Sequence, residues 1–190
     1  MLDAALTSRN YILYFLLPFW IVLGFIDYLC HRHTKIETTS GLTESLIHWT
    51  LLTLIGVPMV LGLFFNINAL VILTMIAAFL LHEVVAIWDV NYAMPRRQIM
   101  VVERHLHGYL GVLPFMIVSM VICLHWDQFL VLVGRGSVAE SFSLHLKEPP
   151  LSRNYVIGIF AAVFGLMVLP YAEELWRCWR AVGTTPKKTR

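Results

Sequence analysis

HEVVAIWDVNYAMPRRQIMVVERHLH, residues 82–107, leaves one long apolar segment and enters the next. His82 and Asp89 stand two helical turns apart and so share a helix face. Glu103 and His107 are neighbours at the (i, i+4) spacing and share another. The same arrangement occurs earlier in the chain. Asp27 and His31 close the first apolar segment, and Glu44 and His48 open the second. Each carboxylate–imidazole pair therefore lies at the end of a hydrophobic helix.

Working outward, the chain of 190 residues is 58% hydrophobic and 14% charged, with a mean hydropathy of +0.73. Soluble domains carry about 25% charged residues. The apolar residues fall in runs long enough to cross a bilayer core, which takes about 20 residues. Five such runs are expected at residues 11–29, 46–65, 69–88, 109–125 and 155–175. The fold class read from this is all-α, a polytopic membrane bundle of five helices. The first run is too long for a signal-peptide core and lacks a small-residue cleavage site, so it reads as a transmembrane helix. Residues 1–180 form one bundle domain, and residues 181–190 a basic, disordered tail. There is no internal repeat. Cys30, Cys123 and Cys178 make no CxxC motif and read as buried or free thiols.

The connections are short where the helices must be neighbours. Asn66-Ile67-Asn68 is a tight turn that makes the second and third helices antiparallel. Ser40 or Thr43 can cap the second helix. Pro95 stops the third near Ala93, because the residue before proline avoids the α region. The fourth is then expected to start near Gln98. The longest connection, residues 126–154, contains the apolar stretch 129–133, which suits a short strand, helix or interfacial segment.

Orientation follows from the cationic residues. Arg9, Arg135, Lys147 and Arg153 fall on the N-terminal side; the other ten of the 14 Lys and Arg fall opposite. The positive-inside rule puts the N-terminus outside and the C-terminus in the cytoplasm. Trp49, Trp88, Trp176 and Trp179 are expected at that cytoplasmic interface. Six of the eight histidines and most carboxylates collect at the same face; His125 and His145 do not.

An ionised side chain deep in a bilayer costs about 2.5–3.5 kcal/mol on insertion scales, so such residues are kept where they find partners. A metal satisfies imidazole and carboxylate together. The expected ligands are Asp27, His31, Glu44, His48, His82, Asp89, Glu103 and His107. Glu37, Glu83, His33 and His105 are possible supports that orient an imidazole. Two iron ions suit this mixture best, with manganese or zinc as alternatives. Simpler readings stand beside it: Asp27–His31 as a hydrogen-bonded pair, Glu44–His48 as an ordinary helix pair, and Glu103 paired with Arg96, Arg97 or Arg104. Those arginines also suit phospholipid contact or a clamp for a substrate phosphate or carboxylate. Glu173 and Glu174 read as neutralising nearby arginines.

The spaced pairs Asp27/His31, Glu44/His48 and Glu103/His107 resemble the sites of membrane-embedded di-iron oxidases, the class that holds lipid desaturases and hydroxylases. The HxxxH and HxxHH boxes of that class are replaced here by HRH at 31–33 and HLH at 105–107. The segment also resembles an uncharacterised group of bacterial membrane proteins. The resemblance implies oxygen-dependent hydroxylation or desaturation of a membrane lipid or other hydrophobic substrate at the cytoplasmic face of a bacterial inner membrane. A separate electron donor is then needed, because no flavin or nicotinamide fingerprint is present. A zinc-dependent hydrolase of a lipid amide, ester or phosphate, using His48, His82 and His107, is the second expectation. A non-enzymatic haem or metal-binding protein is the third. Nothing points to nucleic acid.

Overall fold

The computed structural model describes residues 3–136 and 142–184. The last six residues of the expected tail lie outside the described residues. Six α-helices make up the described chain, five of them long and apolar enough to cross a membrane. Helix α1 is Ala4–His33, α2 Gly41–Phe64, α3 Ala69–Ala93, α4 Val101–Leu124 and the short α5 Trp126–Leu132. Helix α6 runs as Arg153–Val163, a π turn Phe164–Val168, and Leu169–Thr184.

The expected apolar runs sit inside these helices, but the helices are longer. Hydropathy marks only the part that meets lipid. The polar turns beyond it remain helical because each backbone N–H and C=O is best satisfied along the helix. Thus α1 begins at Ala4 and α6 continues to Thr184, into the stretch expected to be tail. Helix α3 does end at Ala93, ahead of Pro95, and α4 starts at Val101 rather than near Gln98. Neither expected cap forms on α2: Ser40 makes no side-chain cap bond, and Thr43 lies inside the helix. Residues 129–132 belong to α5.

Two prolines explain two irregular turns. Proline lacks an N–H and its ring meets the carbonyl four residues back. For Pro18 that carbonyl is Tyr14, at the centre of a π turn Ile12–Leu16 in α1. For Pro170 it is Leu166, at the centre of Phe164–Val168. The wider turn takes up the displaced carbonyl in each case.

The five long helices close a ring. Helix α1 packs on α4, α4 on α3, α3 on α2, α2 on α6, and α6 back on α1. Five helices in a ring cannot all be antiparallel to both neighbours, and α1 with α6 is the parallel pair. Those two approach closely at Gly24, where a Cβ would meet the Met167 sulfur at 2.7 Å. Tyr171 Oη donates to the Gly24 carbonyl at 3.1 Å, and Tyr155 Oη to Leu13 O at 2.8 Å. The outer faces carry Leu80, Val84, Ile87 and Phe115, each more than half exposed, as lipid contact requires. Trp88, Trp176 and Trp179 are exposed too. Trp49 is not part of that belt: it is half-buried, and its indole donates to Tyr171 O at 3.2 Å.

Candidate metal centre

Alternating helix direction decides which residues can meet. The ends of α1, α3 and α6 and the starts of α2 and α4 lie at one end of the ring. Asp27 and His31 come from the last turns of α1, Glu44 and His48 from the first turns of α2, Asp89 from late α3 and Glu103 and His107 from early α4. Glu44 and Glu103 also sit where the positive end of a helix dipole favours a carboxylate.

The structure brings seven of the eight expected ligands together and divides them into two groups. Asp27, His31, Glu103 and His107 form one; Glu44, His48 and Asp89 form the other. Within each group one ligand atom per residue lies within 4.8 Å of every other. In the first, His31 Nε2 is 3.4 Å from Asp27 Oδ2 and 3.5 Å from Glu103 Oε1. His107 Nε2 is 3.2 Å from Asp27 Oδ1. In the second, His48 Nε2 is 3.5 Å from Asp89 Oδ1 and 3.8 Å from Glu44 Oε1. All seven except His107 are buried.

His82 stands outside both groups. Seven residues of helix separate it from Asp89 by about 10.5 Å along the axis, too far to share one ion. It is buried on the same face, and its Nδ1 lies 3.3 Å from Glu83 Oε1. His33 and His105 are exposed and take no part in the groups. Glu37 pairs with Arg177 instead of supporting an imidazole.

Glu174, read from the sequence as a partner for arginine, is the residue on which the two groups are built. It is fully buried. One carboxylate oxygen accepts from His48 Nδ1 at 2.8 Å and the other faces His31 Nδ1 at 3.1 Å. A carboxylate only accepts, so each ring carries a proton on Nδ1; in a neutral imidazole that leaves Nε2 as a lone pair. The rings stack 4.3 Å apart at 9°, and each Nε2 turns toward a different carboxylate group. Tyr171, on the adjacent turn of α6, packs edge-on against both rings. Its hydroxyl also lies 3.4 Å from Asp27 Oδ2. The one signal in the sequence was that Glu174 lies in the last turn of a run apolar enough to span, at the same face as the other acids.

Of the arginines offered as partners for Glu103, Arg97 is the one that pairs with it, and it takes Glu44 as well, which the sequence did not indicate. It is buried, and its guanidinium is bidentate to two carboxylates. Nε donates to Glu44 Oε1 at 3.0 Å and Nη1 to Glu103 Oε2 at 3.0 Å, while Nη2 bridges the pair. Burial opposes its charge, but the bonds to Glu103 and Glu44 outweigh that and hold its pKa above the ordinary arginine value. Glu173 does behave as expected, pairing with Arg32 and Arg177.

Charge and unmet bonds together test whether a metal fits. Asp27, Glu44, Asp89, Glu103 and Glu174 are five buried carboxylates, and Arg97 is the one buried arginine among them. With the imidazoles neutral, the net charge of −4 is what two divalent cations would cancel. Protonating the histidines is the competing remedy. It would place two imidazolium rings face to face 4.3 Å apart, a repulsive arrangement in a low-dielectric site. It would also set an Nε2–H of His31 and of His48 3.4–3.5 Å from carboxylate oxygens of Asp27, Glu103 and Asp89. That is longer than a normal N–H···O hydrogen bond, so neither nitrogen has a close partner. Asp89 Oδ1 lacks one as well, and Asp27 Oδ1 has none of good geometry although His107 Nε2 lies 3.2 Å away. Buried polar atoms are almost always satisfied. These four orphans face into the two groups, and a metal is what satisfies lone pairs on nitrogen and oxygen at once.

A cavity of about 90 Å³ adjoins the ligands and is lined by Asp27, His48, Asp89 and His107, with His82, Trp20, Leu52 and Met167 among its other walls. The chain matches no protein-family model, no curated protein and no solved structure.

Proposed function

We propose that this end of the bundle holds two metal ions, most suitably iron, and that the protein is a membrane-embedded oxidoreductase acting on an apolar, lipid-like substrate. The observation that carries the reading is the shared carboxylate of Glu174, which orients two stacked imidazoles toward separate carboxylate groups. Asp27, His31, Glu103 and His107 would hold one ion; Glu44, His48 and Asp89 the other. Carboxylates outnumber imidazoles, and that favours iron or manganese over softer-ligand metals. Bound iron would supply the activation of dioxygen that the organic side chains cannot.

The chain's own groups do the rest. Glu174 fixes the imidazole tautomers, as carboxylates behind metal-bound histidines do elsewhere. Arg97 cancels one charge and holds Glu44 and Glu103 apart from solvent. The walls of the cavity exclude water from the reacting carbon. His82, at the cavity wall and with its Nδ1 3.3 Å from Glu83 Oε1, is placed to take up or release a proton beside the site. Electrons would come from a separate donor at the polar face, and that face is cytoplasmic on the distribution of Lys and Arg.

A zinc hydrolase is the second reading, with Asp27, His31, Glu103 and His107 as its mixed donor set. The expected trio His48, His82 and His107 does not converge, since His48 and His107 fall in different groups and His82 in neither. Haem is disfavoured by geometry: the stacked, parallel rings of His31 and His48 do not face each other across a porphyrin plane. Element analysis of the purified protein separates these. Two equivalents of iron or manganese per chain support the proposal. Zinc with hydrolytic activity kept under anaerobic conditions supports the second reading, and absence of stoichiometric metal refutes both.

A further inference from the structure

A larger cavity of about 150 Å³ occupies the opposite half of the ring. Its walls are nearly all apolar, with Leu17, Ile55, Met75 and Val118 typical. Two prolines inside the spanning helices, Pro58 and Pro114, also line it. Its polar rim is cationic: Arg9 and Lys147 line it together. Lys147 donates to Gly62 O at 2.6 Å. Burial, and then the charge of Arg9, hold its pKa below the usual lysine value. Among the described residues neither cation has a carboxylate within ion-pair distance. Two like charges at the mouth of an apolar hole, each short of an anion, are unfavourable in an empty cavity and favourable around an anionic head group.

Trp20 ties this cavity to the metal-ligand cavity, since it walls both. Its indole nitrogen is buried without a partner. Gly62, beside Lys147, and His48 are fourteen residues apart on α2, about 21 Å along the axis. That is the length of a long acyl chain.

We infer that the cavity binds a single-chain amphiphile with an anionic head, a long-chain carboxylate, its head at Arg9 and Lys147 and its chain directed toward Trp20. One chain is specified because the cavity, about 150 Å³, is small and Trp20 borders both it and the cavity beside the ligands. The inference that this molecule is the substrate rests on the metal centre proposed above; the binding itself does not.

The test uses the full chain in phosphatidylcholine nanodiscs, with oleate and oleyl alcohol as probes and calorimetry as readout. Oleate should bind more tightly than oleyl alcohol. Arg9→Gln combined with Lys147→Gln should weaken oleate about tenfold or more and leave oleyl alcohol unchanged. Val118→Trp should abolish binding of both. Stearate brominated near its methyl end should quench tryptophan fluorescence, and Trp20→Phe should remove most of that quenching. The His107→Ala protein should bind oleate like the wild type even if it holds no metal, so failure of the metal reading and failure of this one are distinguishable. Equal oleate affinity in the double variant, or unchanged quenching in Trp20→Phe, overturns the inference.

Discussion

Replacing Glu174 by Gln is the sharpest perturbation of the proposed centre. Glutamine keeps the shape of the side chain but offers one acceptor oxygen and an NH₂ group that only donates. In the native protein both carboxylate oxygens are used, at 2.8 Å to His48 Nδ1 and 3.1 Å to His31 Nδ1. One imidazole would therefore keep its acceptor and the other would face a donor. That second ring has to move its proton to Nε2 to accept at Nδ1, and a protonated Nε2 is no longer a ligand. A hydrogen bond with one charged partner is worth about 1.5–3 kcal/mol. Loss of such a supporting partner typically weakens metal affinity 10–100-fold, about 1.4–2.8 kcal/mol. The expectation is that metal content falls from two equivalents to about one, with the affinity of the lost site down by that factor. The helices should still insert, since the change removes a buried charge rather than adding one. The assay is metal titration of the purified, reloaded variant followed by element analysis. Two ions retained at affinities within threefold of the wild type would refute the tautomer argument and return Glu174 to a purely electrostatic role.

Other outcomes follow from the same geometry. His48→Ala and His107→Ala should lose metal while the chain still inserts, and His125→Ala and His145→Ala should not; the reverse pattern in element analysis would move the site to the other face. Arg97→Met should destabilise the metal-free protein by about 3–5 kcal/mol, because it strands Glu44 and Glu103 without their buried counter-charge, and Arg97→Lys should rescue it only partly because lysine lacks the fork. A melting temperature unchanged in Arg97→Met would rule that out. The ordinary value of an arginine pKa already exceeds the working range and is raised further at Arg97, so its contribution should persist across neutral and alkaline pH; a loss of stability between pH 7 and 9 traced to Arg97 by the Met variant would contradict it. Single cysteines introduced at Thr38 and Gln98 should label from the cytoplasm, and one at Arg135 only from outside; labelling of Arg135→Cys from the cytoplasm alone would invert the topology.

Much of this protein follows from its sequence because the bilayer imposes a simple rule. Apolar length fixes the number of spans, and alternation of direction then assigns every helix end to a face. With that, Asp27, His31, Glu44, His48, Asp89, Glu103 and His107 had to lie at one end of the bundle. Their (i, i+4) spacing put each carboxylate beside its imidazole within three of the helices. Spacing could not say which way each helix is rotated. Helices α2 and α3 are apolar nearly all round, so no hydrophobic stripe marks their inner face. Tertiary packing alone turned Glu174 inward between two imidazoles and drew Arg97 out of a polar loop onto Glu44 and Glu103. His82, by contrast, was two turns from Asp89 by its spacing alone, on the right face but at the wrong depth. The split of seven ligands into two groups comes from packing too. It arises from the meeting of α1 with α4 and of α2 with α3, contacts between helices that no local periodicity encodes.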